Sequence, residues 1–283
     1  MTCSATSTQP VCAQADERTV LALHCSGASG HAWRKLAAVL GREYTVIAPD
    51  LWGSGTNRSW TGERAFTIDD ETAPLLEIID RSAAPVHLVG HSYGGGVALA
   101  LAAARPAKIA SLSLYEPTCF HVLRSMGREG RLAFSEIAML AHDVDDGVLT
   151  GAYERAARRF VDYWNGENGW ESLSQEQRQR TVQTMFAACL QFRVLMHARP
   201  ALSDYAQLET STLVIKGERS PRPTKLIVRN LVRSMRSARR AVVADAGHMG
   251  PFTHADRVNA LIAEHITEAD ATLYRIRLAQ IAA

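Results

Sequence analysis

A serine in a glycine-rich stretch is the residue of this chain best placed to do chemistry. The sequence GHSYG at 90–94 lies between an apolar run at 86–89 and a run of small residues at 95–104. The apolar run predicts a short buried strand, and the small residues predict a helix that ends before Pro106. Such a sharp strand-to-helix turn strains the backbone at Ser92 and raises its hydroxyl above the sheet. The pattern therefore predicts a serine nucleophile, with a plain glycine turn as the alternative.

A serine hydroxyl is a weak nucleophile and needs a general base, most often a histidine. The chain has ten histidines. His248 directly follows the last predicted strand, among small residues, so it should share the strand-end plane with Ser92. Three other histidines are weaker candidates. We expect His24 to shape a loop, His91 to occupy the variable position of the turn and His87 to lie inside a strand. We therefore predict His248 as the base.

An oxyanion formed during attack needs two backbone N–H donors. Tyr93 follows the nucleophile at the start of a helix, where N–H groups are unpaired and the helix dipole is positive. The loop after the first predicted strand consists of small residues at 25–30, which let the backbone approach a substrate closely. Tyr93 and Ser26 are therefore the predicted donors of an oxyanion hole.

Four large apolar side chains are candidates for the wall of a substrate pocket. They are Trp33, Trp52, Phe120 and Met249, which lie in or next to the segments after predicted strands. They would suit an apolar, small-to-medium acyl or alcohol group, and they are equally good core residues.

Short apolar segments alternate with helical patterns along most of the chain. The predicted strands are 19–23, 44–48, 86–89, 109–115, 212–216 and 241–244, with helices at about 32–40, 68–82 and 95–104. Because these strands are apolar throughout, they predict an α/β fold with a mostly parallel central sheet, flanked by helices on both faces.

The stretch 120–200 has helical patterns, such as 135–141 and 181–196, and no convincing strand. We predict that it is a helical cap inserted into a core formed by 19–119 and 201–283. Ligand sites of open parallel sheets lie beyond the carboxyl ends of the strands. A cap at that edge would exclude water and select the substrate.

Length and charge limit the partners of this chain. Its 283 residues suffice for one α/β domain with an insertion, and its net charge of +2 gives no reason to expect nucleic acid. No apolar run approaches the ~20 residues of a membrane span. The expected partner is a small-molecule substrate, with neither nucleic acid nor a membrane, and nothing in the sequence indicates an oligomeric state.

Residues 1–18 lack the pattern of a secretory signal and are predicted to be a loose N-terminal tail.

Five cysteines with wide spacings predict neither a disulfide framework nor a zinc site, and they favour a reducing cytoplasm. Histidines, cysteines and carboxylates nowhere have the spacing of metal ligands, so we expect no metal. Cys25 and Cys119 follow predicted strands. They are candidates to line the site or, more simply, small buried hydrophobic residues.

Four motifs together resemble those of the α/β-hydrolase superfamily. They are HCSG at 24–27 with Trp33, DLWGSG at 50–55, GHSYGG at 90–95 and GHMGP at 247–251. The resemblance covers about 20–262 and is specific for the fold rather than for the substrate. It implies the α/β-hydrolase fold, a Ser-acid-His triad, no metal and no organic cofactor. Cys25 departs from the pattern, because a glycine usually follows the histidine of the first motif.

The acid is the second departure from the family pattern. The family usually has an aspartate three residues after the glycine that closes the fifth strand, and here that residue is Ser220. Glu116 ends the strand that follows the nucleophile helix, where some members of the family place their acid. Glu218 lies two residues before the usual position, and Asp245 is expected to cap a turn. We predict Glu116 as the acid, with a structural cap before Pro117 as the alternative.

These residues predict a serine hydrolase, similar to esterases, that cleaves a carboxylic ester or a related acyl substrate through an acyl-enzyme on Ser92. Two alternatives stay open on the same fold. One is hydrolysis of a carbon–carbon bond in a β-diketone-type substrate. The other is a non-catalytic, ligand-binding protein, for which the serine at 220 is the main support.

Overall fold

The computed structural model describes residues 18–198 and 201–281. This part of the chain forms a six-stranded sheet in which all neighbouring strands are parallel, in the order β2-β1-β3-β4-β5-β6. The strands are β1 Thr19–Leu23, β2 Thr45–Ile47, β3 Val86–His91, β4 Ile109–Tyr115, β5 Ser211–Gly217 and β6 Ala238–Val243. The predicted parallel sheet is confirmed. Strand β6 begins three residues before its predicted start. As an edge strand it keeps Arg239 and Arg240 exposed, so its first residues lack the apolar run on which the prediction relied.

Helices cover both faces of the sheet, as the apolar strands predict. They are α1 Arg34–Leu40, α2 Ile68–Arg81, α3 Tyr93–Ala104, α4 Gly127–Leu149, α5 Tyr153–Asn165, α6 Gln175–Gln183, α7 Met185–His197, α8 Leu202–Tyr205, α9 Arg222–Ser234, α10 Gly250–Thr253 and α11 Ala255–Ile281. Side chains of β1 alternate between two apolar layers. Val20 and Ala22 pack in the layer with α1 and α11, and Leu21 and Leu23 pack in the layer with α2, α3 and α9.

The chain between β4 and β5 is helical in the described residues. A 3-10 turn at Phe120–Ser125 leads into α4, and α5 to α8 follow. The helix predicted at 181–196 is two helices, α6 and α7, which meet at Thr184. Apolar periodicity does not predict α6, because this helix is polar; its sequence signal is the capping box between Ser174 and Gln177. This segment is the part of the chain that we propose as the cap.

Some expectations fall outside the described residues or concern the chain as a whole. The predicted tail at 1–18 is described only at Arg18, and Cys3 and Cys12 therefore lie outside the described ranges. The cysteines within these ranges, Cys25, Cys119 and Cys189, are free and buried. Among the described helices, none is long and apolar enough to cross a membrane.

Candidate active site

Ser92 lies at the turn between β3 and α3, with φ 54° and ψ −115°, which is a strained conformation for a residue with a side chain. Its N–H donates to the carbonyl of Tyr115 at 3.0 Å, which ties the turn to β4. A Cβ at Gly94 would come within 2.3 Å of the Leu23 carbonyl oxygen, so only glycine lets α3 pack this close to β1. The strained strand-to-helix turn that the sequence predicts is therefore present.

His248 lies in the loop after β6, between Ser92 and Glu116. Its Nε2 is 2.9 Å from Ser92 Oγ, and its Nδ1 is 2.7 Å from Glu116 Oε2. His248 and Glu116 are both buried. Because an ionised carboxylate only accepts hydrogen bonds, Nδ1 carries the ring proton and Nε2 is left to accept from the Ser92 hydroxyl. The structure thus brings together the three side chains that we predicted as nucleophile, base and acid.

Glu116 follows β4 directly and is fixed from the neighbouring strand β5. Its Oε1 accepts hydrogen bonds from the Gly217 N–H at 2.8 Å and from the Ser220 hydroxyl. Its own N–H donates to the carbonyl of Ile215 at 3.0 Å. Ser220, which stands where the family usually has its acid, therefore donates to a carboxylate that comes from the adjacent strand.

The two other candidate acids point elsewhere. Glu218 is exposed, and its Oε2 accepts from the Asp245 N–H at 3.1 Å. Asp245 is also exposed and pairs with Arg219. Among the described residues, Glu116 is the only carboxylate bonded to His248. The geometry therefore favours Glu116 over both alternatives.

The other candidate histidines are held in structural hydrogen bonds. Nε2 of His91 donates to the His248 carbonyl at 2.9 Å, which fixes the loop that carries His248. Burial lowers the pKa of His91 well below its usual value, so its imidazole is neutral. His24 accepts from the Leu51 N–H at 3.0 Å and ties two loops together, and both ring nitrogens of His87 are bonded inside the fold.

The predicted oxyanion-hole residues border the nucleophile from two sides. Tyr93 is the first residue of α3, and Ser26 lies in the loop after β1. The Gly94 N–H donates to the His24 carbonyl at 3.1 Å, which holds this loop against the turn. Within the described residues, the backbone N–H groups of Tyr93 and Ser26 have no acceptor. Ser26 is partly exposed, whereas Tyr93 as a residue is fully buried.

Ser92 and His248 lie in the wall of a cavity of about 830 Å³. Two of the four predicted pocket residues, Phe120 and Met249, also line it. Trp33 and Trp52 do not, which corrects that part of the prediction. Trp33 packs in the apolar layer between the sheet and α1 and α11. The ring of Trp52 packs edge-on against Trp60, with the ring centres 5.6 Å apart.

Helices α5 and α7 contribute aromatic walls that sequence reasoning missed. The Trp164 ring lies over the His248 imidazole, with the ring centres 4.2 Å apart and the planes inclined by 32°. Phe160 and Phe192 complete this side of the cavity. In the sequence these residues look like the buried face of amphipathic helices, and nothing distinguishes them from core residues.

The rim of the cavity is cationic. Arg34 and Lys35 lie at the start of α1, His31 lies in the 3-10 turn before it, and Arg180 lies on α6. Arg180 pairs with Glu176 on its own helix, and the Lys35 ammonium is 3.7 Å from a carboxylate oxygen of Asp256. No aspartate or glutamate is among the residues that line the cavity in the described part of the chain.

Glu71, on α2, is buried next to Tyr93, the predicted oxyanion-hole residue. Its Oε2 accepts from the Tyr93 hydroxyl at 2.6 Å, and its Oε1 accepts from the Trp52 N–H at 3.2 Å. Burial raises the pKa of Glu71 to about 7, although both hydrogen bonds favour the ionised form. No sequence motif marks this residue.

The pKa of Glu71 has a consequence for stability. Between about pH 4.5 and 7 the folded protein holds a proton that the unfolded chain has released, so the free energy of unfolding should fall as pH rises through this window. Glu71→Gln should remove this contribution. In urea titrations, we expect the wild type to lose about 2 kcal/mol more than the variant between pH 5.5 and 7.5. Glu77→Gln, at an exposed position of α2, is the control. An unchanged pH dependence in Glu71→Gln would contradict the raised pKa of Glu71.

Within the described residues, no group of three or more histidines, cysteines and carboxylates could hold a metal ion. The arrangement at Ser92 is suited to attack by an activated hydroxyl on an electrophilic carbon, with a proton moving to His248 and negative charge received by backbone N–H groups.

Comparison with known proteins identifies the family of the chain. The model of the alpha/beta hydrolase family matches residues 20–261. The chain is similar to the lipase LipV of Mycobacterium tuberculosis, with 41% identity over 99 residues, which are 35% of this chain and 36% of the lipase. It is also similar to a 2-hydroxymuconate semialdehyde hydrolase of Pseudomonas, with 26% identity over 89% of this chain and 88% of that enzyme. For the lipase, the match thus covers about a third of the relative's length.

A solved structure shows the same fold. The enol-lactonase of Burkholderia xenovorans superimposes with a TM-score of 0.70, at 18% identity over 90% of this chain and 93% of the enzyme. At this identity the similarity concerns the fold alone.

Proposed function

Because the chain belongs to the alpha/beta hydrolase family, we propose that it is a serine hydrolase that cleaves a carboxylic ester or a related acyl compound through an acyl-enzyme on Ser92. The observation that carries this proposal is the hydrogen-bond path from the Ser92 hydroxyl through His248 to Glu116, at 2.9 and 2.7 Å. The Ser92 end of this path lies in the wall of a cavity large enough for a small organic substrate.

The reaction would proceed in two acyl transfers. Ser92 Oγ attacks the carbonyl carbon while His248 Nε2 takes the hydroxyl proton. The N–H groups of Ser26 and Tyr93 hold the oxyanion. The intermediate collapses, and the leaving oxygen takes the proton from His248. A water molecule, deprotonated by His248, then attacks the acyl carbon. His248 passes this proton to Ser92 Oγ as the bond between Oγ and the acyl carbon breaks, which releases the carboxylic acid and the free serine.

Two neighbours would stabilise the imidazolium that forms during attack. The Glu116 carboxylate accepts from Nδ1, and the face of the Trp164 ring lies against the imidazole. A cation next to an indole face is stabilised by the negative charge of its π system. The aromatic walls would hold an apolar part of the substrate, and the cationic rim faces the solvent entrance.

A second candidate function is hydrolysis of a carbon–carbon bond. Its support is the Pseudomonas hydrolase, whose similarity extends over most of both chains. The non-catalytic alternative loses its main support, because Glu116 occupies the place of an acid beside His248.

A fluorophosphonate probe tests the proposal directly, because it reacts with a serine only when a base activates the hydroxyl. We expect labelling of Ser92, identified by mass spectrometry of the labelled peptide, and no labelling after heat denaturation. Absence of labelling in protein with a normal circular dichroism spectrum would favour the non-catalytic alternative. Analysis of products from ester and β-diketone substrates separates the two hydrolytic functions.

A further inference from the structure

Charged side chains are unevenly distributed around the cavity. The chain as a whole is nearly balanced, with 31 lysines and arginines against 29 aspartates and glutamates. In the part of the chain that the structure describes, Arg34, Lys35 and Arg180 line the cavity and no carboxylate does. A cleft lined by charges of one sign raises the local concentration of ligands of the opposite sign. The cationic rim therefore favours a substrate that carries negative charge.

The charges of two rim cations are partly offset by carboxylates that do not line the cavity. The Lys35 ammonium lies 3.7 Å from a carboxylate oxygen of Asp256, and Arg180 pairs with Glu176. Arg34 differs from both, because within residues 18–198 and 201–281 its guanidinium has no ion-pair partner. Its positive charge is therefore left to interact with a molecule that enters the cavity.

The Arg34 guanidinium is exposed and keeps most of its donors free. Its Nη1 donates to Nε2 of His31, another residue of the rim, at 3.3 Å. A guanidinium has five N–H donors in a planar fork, and this fork matches the two oxygens of a carboxylate. One uncompensated charge also suits a carboxylate better than a phosphate monoester, which carries about −1.5 to −2 charges at pH 7. The chemistry of Arg34 therefore favours a carboxylate as its ligand.

The segment that leads from Ser26, beside the nucleophile, to Arg34 is held in place by the fold. Within it, the Gly30 N–H donates to Oδ1 of Asp50 at 2.8 Å. Trp33, which directly precedes Arg34, is buried in the apolar layer with α1 and α11. Arg34 thus follows an anchored residue, and its place at the rim does not depend on a free loop.

The cavity combines this cationic rim with an apolar wall. Trp164 lies over the imidazole of His248, and Phe160 and Phe192 line the same cavity. A substrate that reaches from His248 to the rim would therefore need an apolar part followed by an anionic group.

We propose that Arg34 is a specificity-determining residue that binds a carboxylate of the substrate. The substrate would be an ester with this carboxylate at the far end of an apolar chain, on either its acyl or its alcohol part. The chain would lie against the aromatic wall, and the carboxylate would meet the Arg34 guanidinium at the rim. This inference rests on the proposed ester hydrolysis.

Esters that differ only in charge test the inference. Mono-4-nitrophenyl esters of adipic, suberic and sebacic acid end in a carboxylate, and the matching carboxamides have the same shape without the charge. For at least one chain length, Arg34→Gln should lower kcat/KM for the carboxylate ester about fivefold, as expected for an ion pair in contact with water. For the carboxamide, kcat/KM should stay within about twofold. In the wild type, the preference for the carboxylate should shrink as sodium chloride is added, because salt screens exposed charges.

A second set of esters places the carboxylate on the alcohol part. It consists of acetates of ω-hydroxy acids of the same chain lengths and of their carboxamides, with acetate release as the measurement. A charge-dependent loss in the first set assigns the carboxylate to the acyl part, and a loss in the second set assigns it to the alcohol part. Either result supports the inference.

Two further variants serve as controls. Arg42→Gln removes the same charge at an exposed position of the 3-10 turn after α1, and Arg42 does not line the cavity. It should leave the preference for the carboxylate unchanged. Arg34→Lys keeps the charge and loses the planar fork, so it should retain part of the preference. All variants should keep the melting temperature of the wild type, because the substituted side chains are exposed.

The outcomes separate the inference from the proposed function. If Arg34→Gln changes carboxylate and carboxamide esters equally, or neither, at every chain length in both sets, the inference is overturned. The same holds if Arg42→Gln has an equal effect, since the preference would then come from the overall charge. If Ser92 is labelled by fluorophosphonate and the wild type hydrolyses none of the carboxylate esters, the inference alone fails. If Ser92 is not labelled and no ester is hydrolysed, the proposed function fails and the inference fails with it.

Discussion

Ser92→Ala is expected to lower turnover of any ester substrate by a factor of about 10³ or more. The variant lacks the oxygen that would form the acyl-enzyme, and residues of a triad act as a unit. His248 and the backbone N–H groups would stay in place, so a slow reaction with water would set the remaining rate. Turnover is measured with a chromogenic ester at saturating substrate, and circular dichroism and the melting temperature show that the fold is kept.

The matched control is Ser135→Ala, at an exposed position of α4 whose hydroxyl donates only to the Arg131 carbonyl of its own helix. It should keep full activity. A Ser92→Ala variant that retains a tenth of the wild-type turnover would show that Ser92 is not the nucleophile.

Glu116→Gln is expected to reduce kcat by at least ~100-fold, with a much smaller effect on KM. The reason lies in how the carboxylate is held. Gly217 and Ser220 both donate to Oε1, so the amide oxygen of the glutamine is drawn to that side. The amide NH₂ then faces His248 Nδ1 and favours the tautomer with its proton on Nε2. That tautomer is unable to accept the Ser92 proton, and in a comparable triad it costs about 10⁴-fold in kcat.

Glu218→Gln is the matched control, because it makes the same chemical change at the residue directly after Gly217, on an exposed side chain. It should change kcat by less than ~10-fold, since the charge lost is far from the imidazole and screened by water. The reverse pattern would move the acid to the loop after β5. If neither variant affects kcat, the hydrolase would work as a Ser-His dyad.

Local sequence patterns were sufficient for the fold and for the strand-to-helix turn at Ser92. Continuous apolar strands admit few arrangements other than a covered parallel sheet, and GHSYG forces a turn that only glycine permits. The placement of His248 near Ser92 was predictable, because it lies in the loop that follows the last strand of the sheet. The choice among Glu116, Glu218 and Asp245 was harder, because it depends on how neighbouring strands are aligned.

Residues of the cavity wall could not be predicted with the same success. Trp33 and Trp52 follow strand ends, but the packing of α1 and the aromatic contact with Trp60 turn both rings away from the cavity. Trp164 contacts His248 because α5 lies next to the loop that follows β6. The directions of these side chains are set by tertiary packing, which the spacing of apolar residues along one helix does not record.

The hydrogen bond between Ser220 and Glu116 also bears on how such a site changes over evolutionary time. The ends of β4 and β5 are adjacent, so a carboxylate on either one lies near the same imidazole. An ancestral chain with one carboxyl group at the end of β4 and another at the end of β5 would have kept one of them ionised beside the histidine and the other protonated. Two carboxylates in contact resist joint ionisation. Loss of either carboxylate from that intermediate leaves a working acid. The acid of a triad is therefore free to migrate between strands by single substitutions, without an inactive step, while the serine and histidine stay where they are.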